Sequence, residues 1–202
     1  MTVTVSRVRE TIIDNVSVTV DRLNYFFPDT DVRHGHEKGD AMIRKAKLND
    51  IKDIQRLIKL YAPIGGILPR SLSELYDHLR DFFVFVKNRK VIGICALHIC
   101  WDDLAEIRSL AVEEEDQDKG IGARLVKACL KEARLFGVKR AFALTYQPQF
   151  FGRLGFKKVD KTVLPHKIWA DCLKCVKFPD CDEIAVLKEL KSRQVQMSKS
   201  KN

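Results

Sequence analysis

The chain is predicted to fold as an α/β (α+β) domain on a mixed, mostly antiparallel central sheet flanked by helices. Three observations predict this. Apolar stretches of strand length outnumber helical ones, several of those strands follow one another directly, and each helical stretch carries one apolar face. At 202 residues, 46% of them apolar and 31% charged, the chain is long enough for one well-buried domain and short for two.

Residues 1–41 are read as an N-terminal extension and linker. Val16, Val18 and Val20 alternate with polar residues as in a strand, and residues 28–40 are polar, with two glycines and no periodicity. The domain proper is assigned to residues 42–190 and a basic tail to 191–202. Within the domain, residues 43–46 read as a strand. Asn49 or Asp50 then caps a helix whose apolar face is Ile51, Ile54, Leu57, Ile58 and Tyr61. After a Pro-Ile-Gly-Gly loop, Ser71-Leu72-Ser73-Glu74 is a capping box opening a second helix to about Leu79. Residues 82–87 and 90–101 form a hairpin around Asn88-Arg89, and a strand at 104–112 follows.

The next helix spans 120–136, with Ile121, Leu125, Cys129 and Ala133 on one face and Gly137 ending it. Residues 138–145 are a strand, Pro148 starts a short helix, and strands at 156–159 and 183–190 complete the domain.

The turn between the 104–112 strand and the 120–136 helix is the most informative stretch. Gln117-Asp118-Lys119-Gly120-Ile121-Gly122 places glycines where a strand hands over to a helix. Such a turn gathers backbone N–H groups at the positive end of a helix dipole, a ready anion site. Glycines at 120 and 122 let the backbone approach that anion without a Cβ in between. No Lys-Ser/Thr follows, so it is not a P-loop, and the third glycine of the dinucleotide fingerprint is replaced by Arg124 and Leu125 after Ala123. The reading is a phosphate-bearing ligand.

The formal charge of +9 suits such anionic ligands. Part of it lies in the tail, in Lys188, Lys191, Arg193, Lys199 and Lys201. No nucleic-acid recognition motif is present, so no specific nucleic acid is expected. The best apolar run, 91–97, is far short of the roughly 18 residues of a membrane span. Without a secretory signal, the six cysteines read as reduced thiols of a cytoplasmic protein. Cys172, Cys175 and Cys181, with His166 nearby, have the compact spacing of a Cys₃His zinc site. The second Cys-x₂-Cys pair of a strong zinc signature is missing, and no metal is expected.

A strand ending Leu110-Ala111-Val112, the Gln117-x-x-Gly-x-Gly turn, and Phe150-Phe151-Gly152-Arg153-Leu154-Gly155-Phe156 about thirty residues on together resemble the GCN5-related N-acetyltransferase superfamily. The resemblance covers roughly 42–190 and implies a sheet whose two central strands splay around acetyl-CoA. It implies that Gln117, Asp118, Lys119, Gly120, Ile121, Gly122 and Ala123 hold the pyrophosphate. Backbone N–H groups at Leu110, Ala111 and Val112 would polarise the thioester carbonyl. Phe151 joins the cofactor-binding set, at a position where many members place the tyrosine that protonates the leaving thiolate. Tyr146 is the substitute acid, although a strand-end tyrosine also serves as packing with a wet hydroxyl.

Glu106 is the candidate general base, placed by strand alternation on the same face as Arg108 and Leu110. A structural ion pair with Arg108 would use the same residues. For the acceptor, Gly66-Ile67-Leu68-Pro69-Arg70-Ser71, Ala105-Glu106-Ile107 with Leu110-Ala111-Val112, and Cys181-Asp182-Glu183 resemble N-acetylglutamate synthases, which act first in arginine biosynthesis. The long-form enzymes carry an amino-acid-kinase domain for which this chain has no room, so the resemblance is to a short form. L-Glutamate brings two carboxylates, and Arg70 and Arg108 are the expected clamps. Another amine acceptor or a non-catalytic CoA-binding module would fit the same cofactor motif, and the oligomeric state, a homodimer included, stays open.

Overall fold

The computed structural model describes residues 41–64, 66–164, 172–173 and 180–191. The expected strand at Val16 to Val20, the 28–40 linker, the tail from 192, and the segment holding His166 and Cys175 lie outside the described residues. Among the described residues, seven strands form one sheet: β1 (Ala41–Lys45), β2 (Phe82–Lys87), β3 (Lys90–Ile99), β4 (Leu104–Val112), β5 (Arg140–Thr145), β6 (Lys157–Lys158) and β7 (Ile184–Glu189). Their spatial order is β1-β2-β3-β4-β5-β7-β6, and every neighbour is antiparallel except β4 and β5. The expected mixed, mostly antiparallel sheet is therefore what forms.

Helices cover both faces. On one, α1 (Ile51–Tyr61) and α2 (Leu72–Asp77) bury Ile51, Ile54, Leu57 and Leu75 against Phe82, Val84, Val91 and Ile94. On the other, α3 (Ile121–Leu135) buries Ile121, Leu125, Cys129 and Ala133 against Phe83, Phe85, Ala105 and Ile107. Alternation along β2 sends Phe82 and Val84 one way and Phe83 and Phe85 the other, which is why this strand is apolar throughout. A short α4 (Pro148–Arg153) follows β5, with proline at its first turn.

Several local readings need correction. Asp50 does not cap α1. Its carboxylate turns back to accept from the Lys47 backbone N–H at 2.7 Å and from Arg44 at 2.6 and 3.0 Å, locking β1 to the start of α1. The Ser71–Glu74 capping box forms, with reciprocal bonds of 3.2 and 2.8 Å, but α2 stops at Asp77 and a tight turn runs to Asp81. The hairpin turn at Asn88-Arg89 lies where expected, with φ of +51° and +63°.

Two irregularities in β4 make room for a site. It is paired with β5 only through Leu104, Ala105 and Glu106, opposite Arg140, Ala141 and Phe142; beyond that register the parallel strands part. Against β3, Ile94 faces Ala111 while Ala96 faces Arg108, so Ser109 and Leu110 both stand opposite Cys95. This is a β-bulge, and Ser109 has φ of +52°. The extra residue reverses the facing of everything after it. Leu110 packs with the α3-side core, as do Ala105 and Ile107, whereas Ala111 joins the α1 side. Glu106 and Arg108 thus share a face, and Leu110 does not share it.

Candidate active site

A cleft of about 730 Å³ opens where β4 and β5 separate. One wall is the bulged end of β4, with Leu110, Ala111 and Val112, followed by Gln117, Asp118, Gly120, Ile121, Gly122 and Ala123. Tyr146 and Phe151, from β5 onward, also line the cleft, as do Arg70 and the β4 residues Glu106 and Arg108. Of the residues singled out from sequence, Lys119 is the exception. Its ammonium turns away to the Glu115 carbonyl at 2.7 Å and to Asp116 at 3.0 Å.

The loop into α3 is held by backbone conformation and by one tyrosine. Asp118 and Gly120 both have left-handed backbone, with φ of +57° and +77°. That curls successive N–H groups into a concave turn, and the amides of Ile121, Gly122 and Ala123 have no carbonyl four residues back to pair with. These donors and the helix dipole suit a diphosphate. Gly120 is needed for its φ, since a Cβ there would meet nothing within 4 Å. Gly122 is less constrained, its missing Cβ lying 3.5 Å from the Phe150 ring.

Tyr61, read from sequence only as part of an apolar face, keeps its ring on the core while its hydroxyl donates to the Val112 carbonyl. Gln117 then donates to the Tyr61 hydroxyl at 2.7 Å and to the Val112 carbonyl at 3.2 Å. The Gln117 side chain therefore braces the loop against α1. No sequence signal distinguishes this tyrosine from a packing residue; only the proximity of α1 to the end of β4 does so.

At the other end of the cleft, charge is concentrated. The Arg108 side chain is 8% exposed, and its guanidinium lies 3.8 Å from Glu106 and 3.4 Å from Asp81. Asp81 also accepts from His98 Nδ1 at 2.8 Å. Burial, then the nearby Arg108 guanidinium, push the His78 imidazole below its ordinary pKa, and Arg70 adds to the effect. Both arginines are thus close enough to one imidazole to disfavour its charge. Tyr146 is 38% exposed and donates to Asp182 at 2.5 Å, while Phe151 is buried against Phe150 and Phe156.

The model of the acetyltransferase (GNAT) family matches residues 51–156, just over half of the chain. This chain belongs to the GNAT acetyltransferase family. It is 44% identical over 151 residues to an uncharacterized N-acetyltransferase of Chlorobaculum tepidum, covering 75% of this chain and 97% of that one. It is 35% identical over 132 residues to an amino-acid acetyltransferase of Mycobacterium tuberculosis, covering 63% and 75%. Among solved structures, N-acetylglutamate synthase from Neisseria gonorrhoeae, complexed with coenzyme A and N-acetyl-glutamate, superposes with a TM-score of 0.69 at 28% identity. The match covers 77% of this chain and 36% of that longer one.

This GNAT chain is accordingly an acetyl-CoA-dependent N-acetyltransferase. The donor amides at the start of α3 and the parting of β4 from β5 fit that cosubstrate. Among the described residues, no helix is long and apolar enough to cross a membrane.

Proposed function

We propose that the enzyme acetylates the α-amino group of L-glutamate. The observation that carries this reading is that Arg70 and Arg108 line the same cleft as Glu106, with the Arg108 guanidinium 3.8 Å from the Glu106 carboxylate. Two guanidiniums suit an acceptor with two carboxylates, and a neighbouring carboxylate suits removal of the ammonium proton. The relatives named for amino-acid acetylation support it.

Acetyl-CoA, when bound, supplies an acetyl group already activated as a thioester. Gln117, Asp118 and the amides of 120–123 hold its diphosphate, with Lys119 contributing through its backbone alone. The β5-facing edge of β4 around Leu110, Ala111 and Val112 directs N–H groups at the reacting carbonyl oxygen. Arg70 and Arg108 fix the acceptor by its carboxylates, which makes the encounter local. Glu106 takes the amine proton. Tyr146 lines the cleft with its O–H donated to Asp182. The leaving thiolate, with a thiol pKa of about 8.5, is one that water can protonate.

The test is free-thiol release from acetyl-CoA in the presence of each common amino acid. L-Glutamate is expected to give the highest kcat/KM. Glu106→Gln should then lower kcat by roughly 100-fold or more, and Arg70→Gln should raise the glutamate KM about tenfold. Release with other amines but not with glutamate would overturn the acceptor, and CoA binding without any release would overturn the enzyme.

A further inference from the structure

One carboxylate oxygen beside the cleft has three cationic or imidazole partners and takes no direct part in acetyl transfer. Asp81 ends the tight turn between α2 and β2, and its Oδ2 lies 2.8 Å from His98 Nδ1, 3.4 Å from Arg108 Nη2 and 3.6 Å from His78 Nδ1. His98 stands directly opposite Glu106 across the β3–β4 ladder, so both point to the same face of the sheet. The two histidine rings meet edge to face at 5.3 Å between centroids.

Two histidines and an aspartate with ligand atoms within 4.8 Å of one another also have the composition of a metal site. The Arg108 guanidinium speaks against it. A permanent positive charge already lies 3.4 Å from the shared oxygen, where a divalent cation would have to sit. The cluster is instead built to hold that guanidinium. Arg108 is almost completely covered, and a buried guanidinium must be matched by acceptors to keep one orientation. Glu106 is a second nearby anion, at 3.8 Å. A clamp paired only with the base would be drawn away from the acceptor and onto the group that must stay available for the proton.

We propose that Asp81 is the positioning residue for acceptor recognition. It shares the Arg108 guanidinium with Glu106 and aims it into the cleft, while His98 fixes the orientation of the Asp81 carboxylate. The assignment rests on the reading of Arg108 as a carboxylate clamp. Asp81 touches no reacting atom and acts through Arg108 alone. Its removal should therefore be felt in acceptor affinity and not in the handling of acetyl-CoA.

The experiment is a double-mutant cycle on the full chain, with L-glutamate and acetyl-CoA varied separately. Asp81→Asn is expected to raise the glutamate KM about tenfold, the size of a lost hydrogen bond to a charged group. The acetyl-CoA KM should stay within about twofold, since no coupling to the α3 loop is invoked. In an Arg108→Gln background, Asp81→Asn should add less than about twofold, because the two changes report one interaction. Asp81→Glu, which keeps the charge, should recover most of the loss. His98→Gln provides a milder version should Asp81→Asn not fold, with an expected rise of about threefold in the glutamate KM.

A glutamate KM unchanged in Asp81→Asn while Arg108→Gln raises it would overturn the positioning role alone. Additive effects in the double mutant would do the same. An Arg108→Gln variant with normal glutamate KM would instead remove the clamp, and the positioning proposal with it.

Discussion

Gly120 and Gly122 look equivalent in sequence and are not equivalent in the fold. Gly120 has φ of +77° with open space around its missing Cβ, so Gly120→Ala introduces backbone strain and no clash. Strain of about 1 kcal/mol is expected there, read as a small fall in Tm and a several-fold rise in the acetyl-CoA KM. Gly122 sits within the first turn of α3 and a methyl group would meet the Phe150 ring at an ordinary 3.5 Å. Gly122→Ala should leave Tm unchanged or raise it slightly, because alanine favours the helix; a loss of acetyl-CoA binding in this variant would then report the ligand's own need for the space. His78 offers a second residue-level check. Burial and the Arg108 guanidinium hold it below its ordinary value, so its imidazole should titrate below about 6.5 by NMR. Arg108→Gln should move that midpoint upward; a midpoint that did not respond would separate the two side chains electrostatically.

At the scale of elements, what could be read from sequence was local and what could not was tertiary. The β2–β3 hairpin, the Ser71–Glu74 box and the apolar face of α3 follow from residues a few positions apart, and their bounds were legible. The β4 bulge was not, because nothing in Arg108-Ser109-Leu110 marks it; it is set by the register against Cys95, and it changed the face assigned to Leu110. The same limit hid the bond from Asp81 to Arg108, which spans 27 residues, and the tie from Tyr61 to Val112, which spans 51. The cofactor loop was legible because glycine and its neighbours form a contiguous motif, although Lys119 was counted in it and turns away. The Tyr61 tie can be tested as an element-level effect. Tyr61→Phe keeps the ring in the core and deletes a hydroxyl that joins α1, the end of β4 and Gln117. We expect a stability loss of about 1 kcal/mol together with a rise in the acetyl-CoA KM, and no change in the glutamate KM. A change confined to glutamate would place the tie at the wrong end of the cleft.

For the whole molecule, the ion pairs that join distant elements predict how the fold responds to acid. Arg140 grips Asp103 with two bonds of 3.0 and 3.1 Å and holds its carboxyl below the usual carboxylate range. Lys87, then Lys119, do the same for Asp116 beside the cofactor loop. For Asp50, burial pushes the carboxyl up, but the Arg44 guanidinium and the Lys47 amide outweigh it and the net direction is down. A carboxyl that titrates lower in the fold than in the unfolded chain contributes its full stabilisation above the unfolded pKa, about 4, and loses it as pH falls through the folded value. His78 also has a depressed pKa in the fold, so the unfolded chain takes up a proton first as pH falls below about 6.5. Both contributions have the same sign. The melting temperature followed by circular dichroism should therefore be level above pH 7, decline gently below about 6.5, and fall steeply below about 4. Asp103→Asn, which removes a pair linking the start of β4 to the start of β5 at the end where the two strands are hydrogen-bonded, should lower Tm at pH 7 and flatten the steep acid limb. A variant with unchanged Tm at pH 7 and an unchanged acid limb would show that this pair does not hold the two strands together.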